Sequence, residues 1–60
     1  MNEADMMFGA RVRNTGSDYH FEGVIVAIFQ KRNGLLRCVV ENDDGILHIF
    51  SAKNLERAHD

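Results

Sequence analysis

Proline and tryptophan are absent from this chain of 60 residues, and cysteine occurs once. Because proline is missing, every segment keeps the backbone N–H groups that a β-ladder requires. The single cysteine excludes an internal disulfide, and its apolar neighbours indicate that Cys38 is a buried structural thiol. The histidines stand too far from one another and from Cys38 to give a zinc-binding spacing. The sequence therefore predicts no internal disulfide and no metal site.

An excess of basic residues and a long apolar run are also missing. Nine Asp and Glu outnumber seven Lys and Arg, which gives a net charge of −2 with neutral histidines. The basic pairs Arg11/Arg13 and Lys31/Arg32 are typical of a solvated strand face and a hairpin tip, so nucleic acid is not an expected partner. No segment approaches membrane-spanning length, and no signal-peptide pattern is present. Together with the lone cysteine, this predicts a cytoplasmic protein without membrane association.

The short chain limits the stability of a single protomer. A chain of 60 residues makes one domain, and such a domain buries only about 60% of the surface of its unfolded chain. The core of so small a domain supplies about 3–5 kcal/mol, and small domains usually add disulfides, a metal or partner subunits. Because the sequence offers neither of the first two, we expect a homo-oligomer.

Alternating apolar and polar residues predict five strands, at positions 10–13, 21–30, 35–41, 46–50 and 55–57. Asn33-Gly34 predicts a type I′ hairpin turn, in which both residues have positive φ. Ser51 is suited to cap one helical or 3₁₀ turn that ends at Asn54.

These elements predict an all-β fold, a small five-stranded SH3-like barrel with one short helical turn before the last strand. Residues 1–7 form an acidic, methionine-bearing lead-in that we expect to be flexible, and residues 8–60 form the domain.

The second and fourth predicted strands carry apolar residues on both faces. For the second strand this predicts burial on both sides, against the core and against a partner subunit. For the fourth, we expect Leu47 and Ile49 to face the core and Ile46, His48 and Phe50 to lie on the opposite face. Such an apolar face in a small chain usually marks a contact surface. A polar His48 at its centre is then satisfied across an interface or poised in a pore.

No arrangement of nucleophile and base is visible. Ser17 and Ser51 lack a nucleophile-elbow pattern, and Glu41, Asp43 and Asp44 lie at a turn, where solvated carboxylates are far more common than catalytic pairs. The glycine spacing gives no phosphate-binding loop. The residues alone therefore describe a small interaction module without visible catalytic machinery.

From residue 8 to residue 57, the chain resembles the plasmid-encoded type II dihydrofolate reductases in the order and spacing of its motifs. The matching segments, each with the family motif, are Phe8-Gly9 with Arg11-Val12-Arg13 (F-G-x-G-D-R-V-R), Phe21-Glu22-Gly23-Val24-Ile25-Val26 (W-Q-G-Q-I-V), Val39-Val40-Glu41 (A-V-E), Gly45-Ile46-Leu47-His48-Ile49-Phe50 (G-S-V-Q-I-Y) and Leu55-Glu56-Arg57 (L-E-R). Each motif is short, and their shared order over most of the chain implies a shared fold.

The resemblance implies an SH3-like barrel that assembles as a homotetramer around one central pore. In that family NADPH and dihydrofolate enter the pore from opposite ends, and the protein holds nicotinamide and pterin in a geometry for hydride transfer. No side chain serves as a dedicated proton donor, and the family is insensitive to trimethoprim.

Carried over to this chain, the resemblance implies that Leu47, His48, Ile49 and Phe50 line the pore and that Ile46 flanks it. The catalytic residues would be His48, Ile49 and Phe50, and NADPH would bind to Ile46, Leu47, His48 and Ile49. His48 would supply the central polar pairs, and the backbone of Ile49 would hydrogen-bond the amide edges of nicotinamide or pterin. Phe50 would keep the ring of the family tyrosine.

Several positions depart from the family pattern. Asn14 stands where the family has a lysine that attracts the anionic tails of the ligands, so steering and binding of these tails should weaken. Phe21 replaces a tryptophan, His48 replaces a glutamine, and Phe50 lacks the hydroxyl of the family tyrosine. Among the basic residues, Arg13 and Lys53 are the candidates to replace the lost charge.

Two alternatives stay open beside the reductase. One is a non-enzymatic SH3-like module that binds a protein or a nucleic acid and derives from a phage or mobile element. The other is a relative of the reductases that keeps their assembly and has no physiological reductase role. Assembly and ligand separate these alternatives, because a pore of this kind does not exist in a monomer.

Overall fold

The predicted alternation of apolar and polar residues forms one antiparallel sheet in the computed structural model, which describes residues 1–16 and 18–58. The strands are β1 (Arg11–Asn14), β2 (Glu22–Gln30), β3 (Leu36–Asn42), β4 (Leu47–Phe50) and β5 (Leu55–Arg57). A first 3₁₀ turn, Glu3–Asp5, lies before β1, and a second, Ala52–Asn54, leads directly into β5. The strands are ordered β4-β3-β2-β1-β5 in space.

β1 lies between β2 and the C-terminal strand β5, and it pairs with both. This order, with a 3₁₀ turn before the last strand, is that of an SH3-like barrel and confirms the predicted all-β class. The predicted strand limits agree with the observed ones to within one residue. Ser51 precedes the second 3₁₀ turn as predicted, but its hydroxyl accepts a hydrogen bond from Asn54 Nδ2 (3.0 Å) rather than from the backbone.

The turn between β3 and β4 is a three-residue hairpin loop held by Asn42. The Asn42 N–H donates to the carbonyl of Ile46 (3.0 Å), and the Gly45 N–H donates to the carbonyl of Asn42 (3.0 Å). Asn42 Oδ1 also accepts the N–H groups of Asp44 (3.0 Å) and Ile46 (2.9 Å). Gly45 has a φ of +81°. A type I turn followed by a glycine in the left-handed region matches this pattern, and it sets the register of β4.

The type I′ turn predicted for Asn33-Gly34 is wrong. That turn requires a positive φ at both residues, and among the described residues only glycines, here Gly34 at +91°, have one. The Gly34 N–H donates to the carbonyl of Lys31 (2.8 Å), and the Lys31 N–H donates to the carbonyl of Leu35 (2.8 Å). This is the same three-residue loop as between β3 and β4. Asn33 Oδ1 accepts the Leu35 N–H (3.1 Å), a local bond that stabilises this conformation.

A bulge interrupts β2, and the sequence did not predict it. The pairing with β3 shifts by one residue between Ile25 and Ala27, so Val26 lies opposite no residue of β3. A bulge bends a strand and increases its twist. Ile25, before the bulge, is fully buried, whereas Ile28 and Phe29, after it, are 40% and 38% exposed. In the protomer the first half of this strand is buried on one face and the second half is exposed. Burial of the other face against a partner subunit stays a prediction.

Gly23, at the start of β2, permits a close approach of β2 to β3. A Cβ atom added at Gly23 would lie 2.1 Å from the carbonyl oxygen of Glu41 and 2.9 Å from the Cα of Asn42. Both are backbone atoms, so neither can rotate away as a side chain would. The barrel can therefore close at this point only with glycine.

The core receives side chains from each strand and from the lead-in: Met6, Val12, Phe21, Ile25, Cys38, Val40, Phe50, Ala52 and Leu55. Met6 is 4% exposed. The Met1 nitrogen donates to the carbonyls of Ala52 (3.1 Å) and Leu55 (2.8 Å). Residues 1–7 thus contact the folded barrel, and their flexibility stays a prediction.

Cys38 is fully buried, as predicted, and burial raises the pKa of its thiol. Above the ordinary thiol pKa, the unfolded chain binds fewer protons than the folded domain, so the free energy of unfolding falls as the pH rises. We expect urea titrations at increasing alkaline pH to show a steeper fall for the native chain than for Cys38→Ala. The cavity in the variant lowers its free energy of unfolding by a similar amount at every pH, so it does not affect the comparison of the two slopes. Equal slopes would contradict the prediction.

Candidate functional site

β4 carries most of the predicted site residues, and its register with β3 decides where they point. Phe50 lies opposite Cys38, and His48 lies opposite Val40. Cross-strand partners occupy the same face of a sheet. Because Cys38 and Val40 are fully buried, His48 and Phe50 point inward. The remaining two residues of β4 point outward, since successive side chains alternate.

The predicted orientation of β4 is therefore wrong. Leu47 and Ile49, expected in the core, are 58% and 63% exposed, whereas Phe50 is only 8% exposed. The sequence pattern did not distinguish the two faces because each carries large apolar residues. The register set by Asn42 decides between them. Ile46 is 51% exposed and precedes β4 at the end of the loop.

His48 belongs to an aromatic cluster rather than to an open surface. Its half-buried ring stacks on Phe21, with the centroids 4.2 Å apart and the planes within 3° of parallel. Tyr19 meets the imidazole edge to face at 6.1 Å, and Phe50 lies tilted at 6.0 Å. The stack covers a face of the imidazole and fixes the plane in which its two nitrogens can form hydrogen bonds.

The outward residues of β4 also present free backbone groups. Asn42 and Ile46 form a hydrogen-bonded pair at the turn. Bonded and non-bonded pairs alternate along an antiparallel ladder, so Leu47 and Ile49 belong to non-bonded pairs in the register with β3. Their N–H and C=O groups therefore point away from β3. β4 is the last strand of the sheet, so this side of the strand is an open edge.

The structure thus divides the predicted site into two parts. Leu47 and Ile49 form an exposed aliphatic surface along the open edge, while His48 and Phe50 belong to the aromatic cluster behind it. The sequence did not single out Tyr19, which completes the cluster from the loop before β2. An aromatic residue among turn-forming residues was the only signal for it.

The arginines of β1 are committed to carboxylates. Arg11 Nε lies 2.9 Å from a carboxylate oxygen of Glu22, and Arg13 Nε lies 2.7 Å from one of Glu56. The hydrogen bond and the charge of Glu56 raise the pKa of Arg13. These ion pairs join β1 to β2 and to β5. Because Arg13 is paired with Glu56, it is not available to replace the lysine that the type II reductases have at the position of Asn14.

Asn14 occupies the position of that lysine and serves the loop instead. Its Nδ2 donates to the carbonyl of Tyr19 (2.8 Å), and its Oδ1 accepts the N–H of Phe21 (2.8 Å). These bonds hold together the two ends of the loop between β1 and β2. The side chain positions the aromatic cluster and brings no charge to it.

No protein-family model, curated protein or solved structure matches this chain. Among the described residues, no His, Cys, Asp and Glu side chains are grouped to hold a metal ion. Within residues 1–16 and 18–58, no helix is long and apolar enough to cross a membrane. Function is therefore inferred from the geometry around β4 and from the motifs of the sequence.

Proposed function

We propose that this protein is a type II dihydrofolate reductase-like protein, which reduces dihydrofolate to tetrahydrofolate with NADPH at the central pore of a homotetramer. The observation that carries the proposal is the outward side of β4, where exposed Leu47 and Ile49 stand beside unpaired backbone groups of an edge strand. The SH3-like strand order and the sequence motifs support the same assignment.

This side of β4 fits the ring portions of both ligands. Nicotinamide and pterin are flat rings that need apolar contact on their faces and hydrogen-bond partners at their amide edges. Leu47 and Ile49 offer the apolar contact. The Ile49 backbone has a free donor and a free acceptor because Ile49 and Val39 form a non-bonded pair. The resemblance assigns the Ile49 backbone this same role.

His48 differs from the family glutamine in geometry as well as in chemistry. Its ring stacks on Phe21, which fixes the plane in which the two ring nitrogens can form hydrogen bonds. Neutral imidazole has one donor and one acceptor. Because His48 is half-buried on the face of β4 opposite Leu47 and Ile49, it would reach the amide edge of a ligand across the open edge of the strand. Phe21, at the position of the family tryptophan, would then orient the imidazole.

Catalysis in such a site rests on position. NADPH supplies the hydride when bound. The protein contributes aliphatic side chains that exclude water from the rings and backbone groups that fix their edges. Holding two reactants in a reactive geometry lowers a barrier by about 7–11 kcal/mol in favourable cases. A site without a dedicated proton donor is therefore compatible with turnover.

Assembly is part of the proposal because one protomer encloses no pore. Large apolar side chains are exposed over the protomer, namely Met7, Phe8, Tyr19, Ile28, Phe29, Leu35, Ile46, Leu47 and Ile49. Contiguous apolar surface usually marks an interaction site, and a small core gains stability from partner subunits. A homotetramer would cover part of this surface and bring several β4 strands together.

The loss of NADPH absorbance after dihydrofolate is added tests the proposal. We expect turnover that persists with trimethoprim present. His48→Ala should reduce kcat/KM about tenfold or more, because a hydrogen bond to the ligand is lost. His20→Ala is the matched control, since the His20 side chain is 70% exposed and lies outside the aromatic cluster. No turnover at concentrations where light scattering detects the tetramer would refute the proposal.

A non-enzymatic SH3-like module is the second candidate, and one groove favours it. This groove, of about 330 Å³, is lined by Tyr19, Ile49 and Phe50, with Asn14 and Asn54 among its polar groups. An extended peptide could pair with the open edge of β4 and place side chains there. A protein that binds such a peptide and not NADPH would decide for this candidate. The net charge of −2 makes nucleic acid the weaker partner.

A further inference from the structure

Arg37 and Lys53 line a groove that has no role in the site described above. The groove, of about 360 Å³, lies between the lead-in, the start of β3 and the second 3₁₀ turn. Its other polar side chains include Ser51 and Glu3. The two basic residues are distant in sequence and line the same groove because the second 3₁₀ turn lies against β3.

Among the described residues, these two basic residues have no carboxylate within ion-pair distance, in contrast to the arginines of β1. Within residues 1–16 and 18–58, the ion pairs involve Arg11, Arg13 and His20, and none involves Arg37 or Lys53. Arg37 is half-buried, and its Nη1 donates to the carbonyl of Leu36 (2.8 Å). That bond orients the guanidinium and leaves its other N–H groups for a ligand. A half-buried guanidinium without a counter-ion is suited to bind an anion from solution.

The groove continues the outward side of β4. Cys38 lies opposite Phe50, so the same register sets Arg37 opposite Ser51. Alternation along β3 places Arg37 on the face opposite buried Cys38, which is the face of Ile49. Two residues of strand span about 7 Å. A ligand whose ring lies on the outward side of β4 could therefore reach Arg37 with its tail.

We propose that Arg37 and Lys53 bind a phosphate group, and that this group is the phosphate of the dinucleotide whose ring lies against β4. The identity of the dinucleotide rests on the proposed function, whereas the phosphate chemistry rests on the groove itself. An arginine presents a planar fork of donors that matches a phosphate, and a lysine adds a point charge. The Ser51 hydroxyl accepts a bond from Asn54 and keeps its own proton to donate.

This site supplies the positive charge that Asn14 lacks. Glu3 lines the same groove, and its negative charge repels an anion. A substitution at Glu3 should therefore change the affinity for phosphate in the opposite direction from substitutions at Arg37 and Lys53. Removing the charge of Glu3 should strengthen phosphate binding, while removing the charges of Arg37 and Lys53 should weaken it.

Calorimetric titration of the full chain with inorganic pyrophosphate and with NADP⁺ tests the site. The double variant Arg37→Met/Lys53→Met should bind both probes about tenfold more weakly or worse, since charge-assisted hydrogen bonds are lost. The double variant Lys31→Met/Arg32→Met removes the same charge from the hairpin tip and should keep the native affinity within about twofold. Glu3→Gln should bind more tightly than the native chain.

Equal weakening by both double variants would overturn the proposal, because net charge alone would then explain binding. In a parallel titration with dihydrofolate, weakening confined to that ligand, through its carboxylate tail, would overturn the phosphate assignment. Circular dichroism checks that the variants fold, and Arg37→Lys should retain part of the affinity if the charge is what matters.

Pyrophosphate binding that depends on the groove, in a protein without turnover, would refute the proposed reductase activity and support the phosphate site. Native turnover in the groove variant would refute the site and keep the reductase.

Discussion

Gly23→Ala is expected to leave most of the chain unfolded. The added methyl carbon would stand 2.1 Å from the carbonyl oxygen of Glu41, a backbone atom of β3. Relieving that overlap requires β2 and β3 to separate, so the cost lies above the value of about 1–3 kcal/mol for a methyl group inserted in a packed site. A domain of this size has only about 3–5 kcal/mol from its core. The substitution therefore removes most or all of the stability.

Circular dichroism and urea titration measure this effect. Gly34→Ala is the matched control, because a Cβ atom there meets nothing closer than 4.0 Å and the cost comes only from a φ of +91°. A left-handed conformation costs an ordinary residue about 1–2 kcal/mol. The control should fold with reduced stability. A Gly23→Ala domain as stable as this control would show that the two strands are not locked together at Gly23.

Ile49→Asp is expected to dissociate the assembly and to abolish turnover while the protomer stays folded. Ile49 is 63% exposed, so the change costs the isolated protomer at most about 1 kcal/mol, through the poor fit of aspartate to a strand. In the proposed tetramer the β4 strands come together around the pore, and burying unpaired carboxylates where they meet costs about 3 kcal/mol or more. That corresponds to about a hundredfold loss in an association constant.

Sedimentation velocity gives the assembly state, and the NADPH assay gives turnover. Asn33→Asp is the control, since it adds the same charge at an exposed turn and keeps the oxygen that accepts the Leu35 N–H. The control should sediment as the native protein does. An Ile49→Asp protein that remains a tetramer would show that the outward side of β4 is not covered by partner subunits.

Local signals in the sequence were sufficient for the strands and for the fold class. Glycine and asparagine mark each hairpin, and the strand limits follow from them to within one residue. The turn type at Asn33 was beyond those signals. Asn-Gly is compatible with two loops, and the choice depends on the loop length that the pairing of β2 with β3 leaves.

The bulge at Val26 and the faces of β4 depended on partners distant in sequence. The second half of β2 is almost uniformly apolar, so no polar residue marks the point where the alternation shifts. In β4 both faces are apolar, and the buried Cys38 and Val40 of β3 decide which face turns inward. When both faces of a strand are apolar, the alternation of residues does not show which face is buried.

The candidate site was predictable in its location and not in its geometry. The motif resemblance predicted a site at residues 46–50, which lie at an open sheet edge. The stack of His48 on Phe21 joins two segments that are far apart in the chain. The groove with Arg37 and Lys53 likewise forms only in the folded chain. The sequence offered Lys53 as a replacement for the lost charge, and it gave no signal for Arg37.

The loop that Asn42 holds has a consequence for how this protein could diverge. Side chains alternate along a strand, so a one-residue slip between β3 and β4 would exchange the two faces of β4. His48 and Phe50 would then be displayed, and Leu47 and Ile49 would be hidden, without any substitution in the strand. Insertions and deletions between positions 43 and 45 that the loop does not absorb can therefore replace an aliphatic surface by an aromatic, titratable one. The length of this loop therefore determines which of the two faces of β4 is exposed.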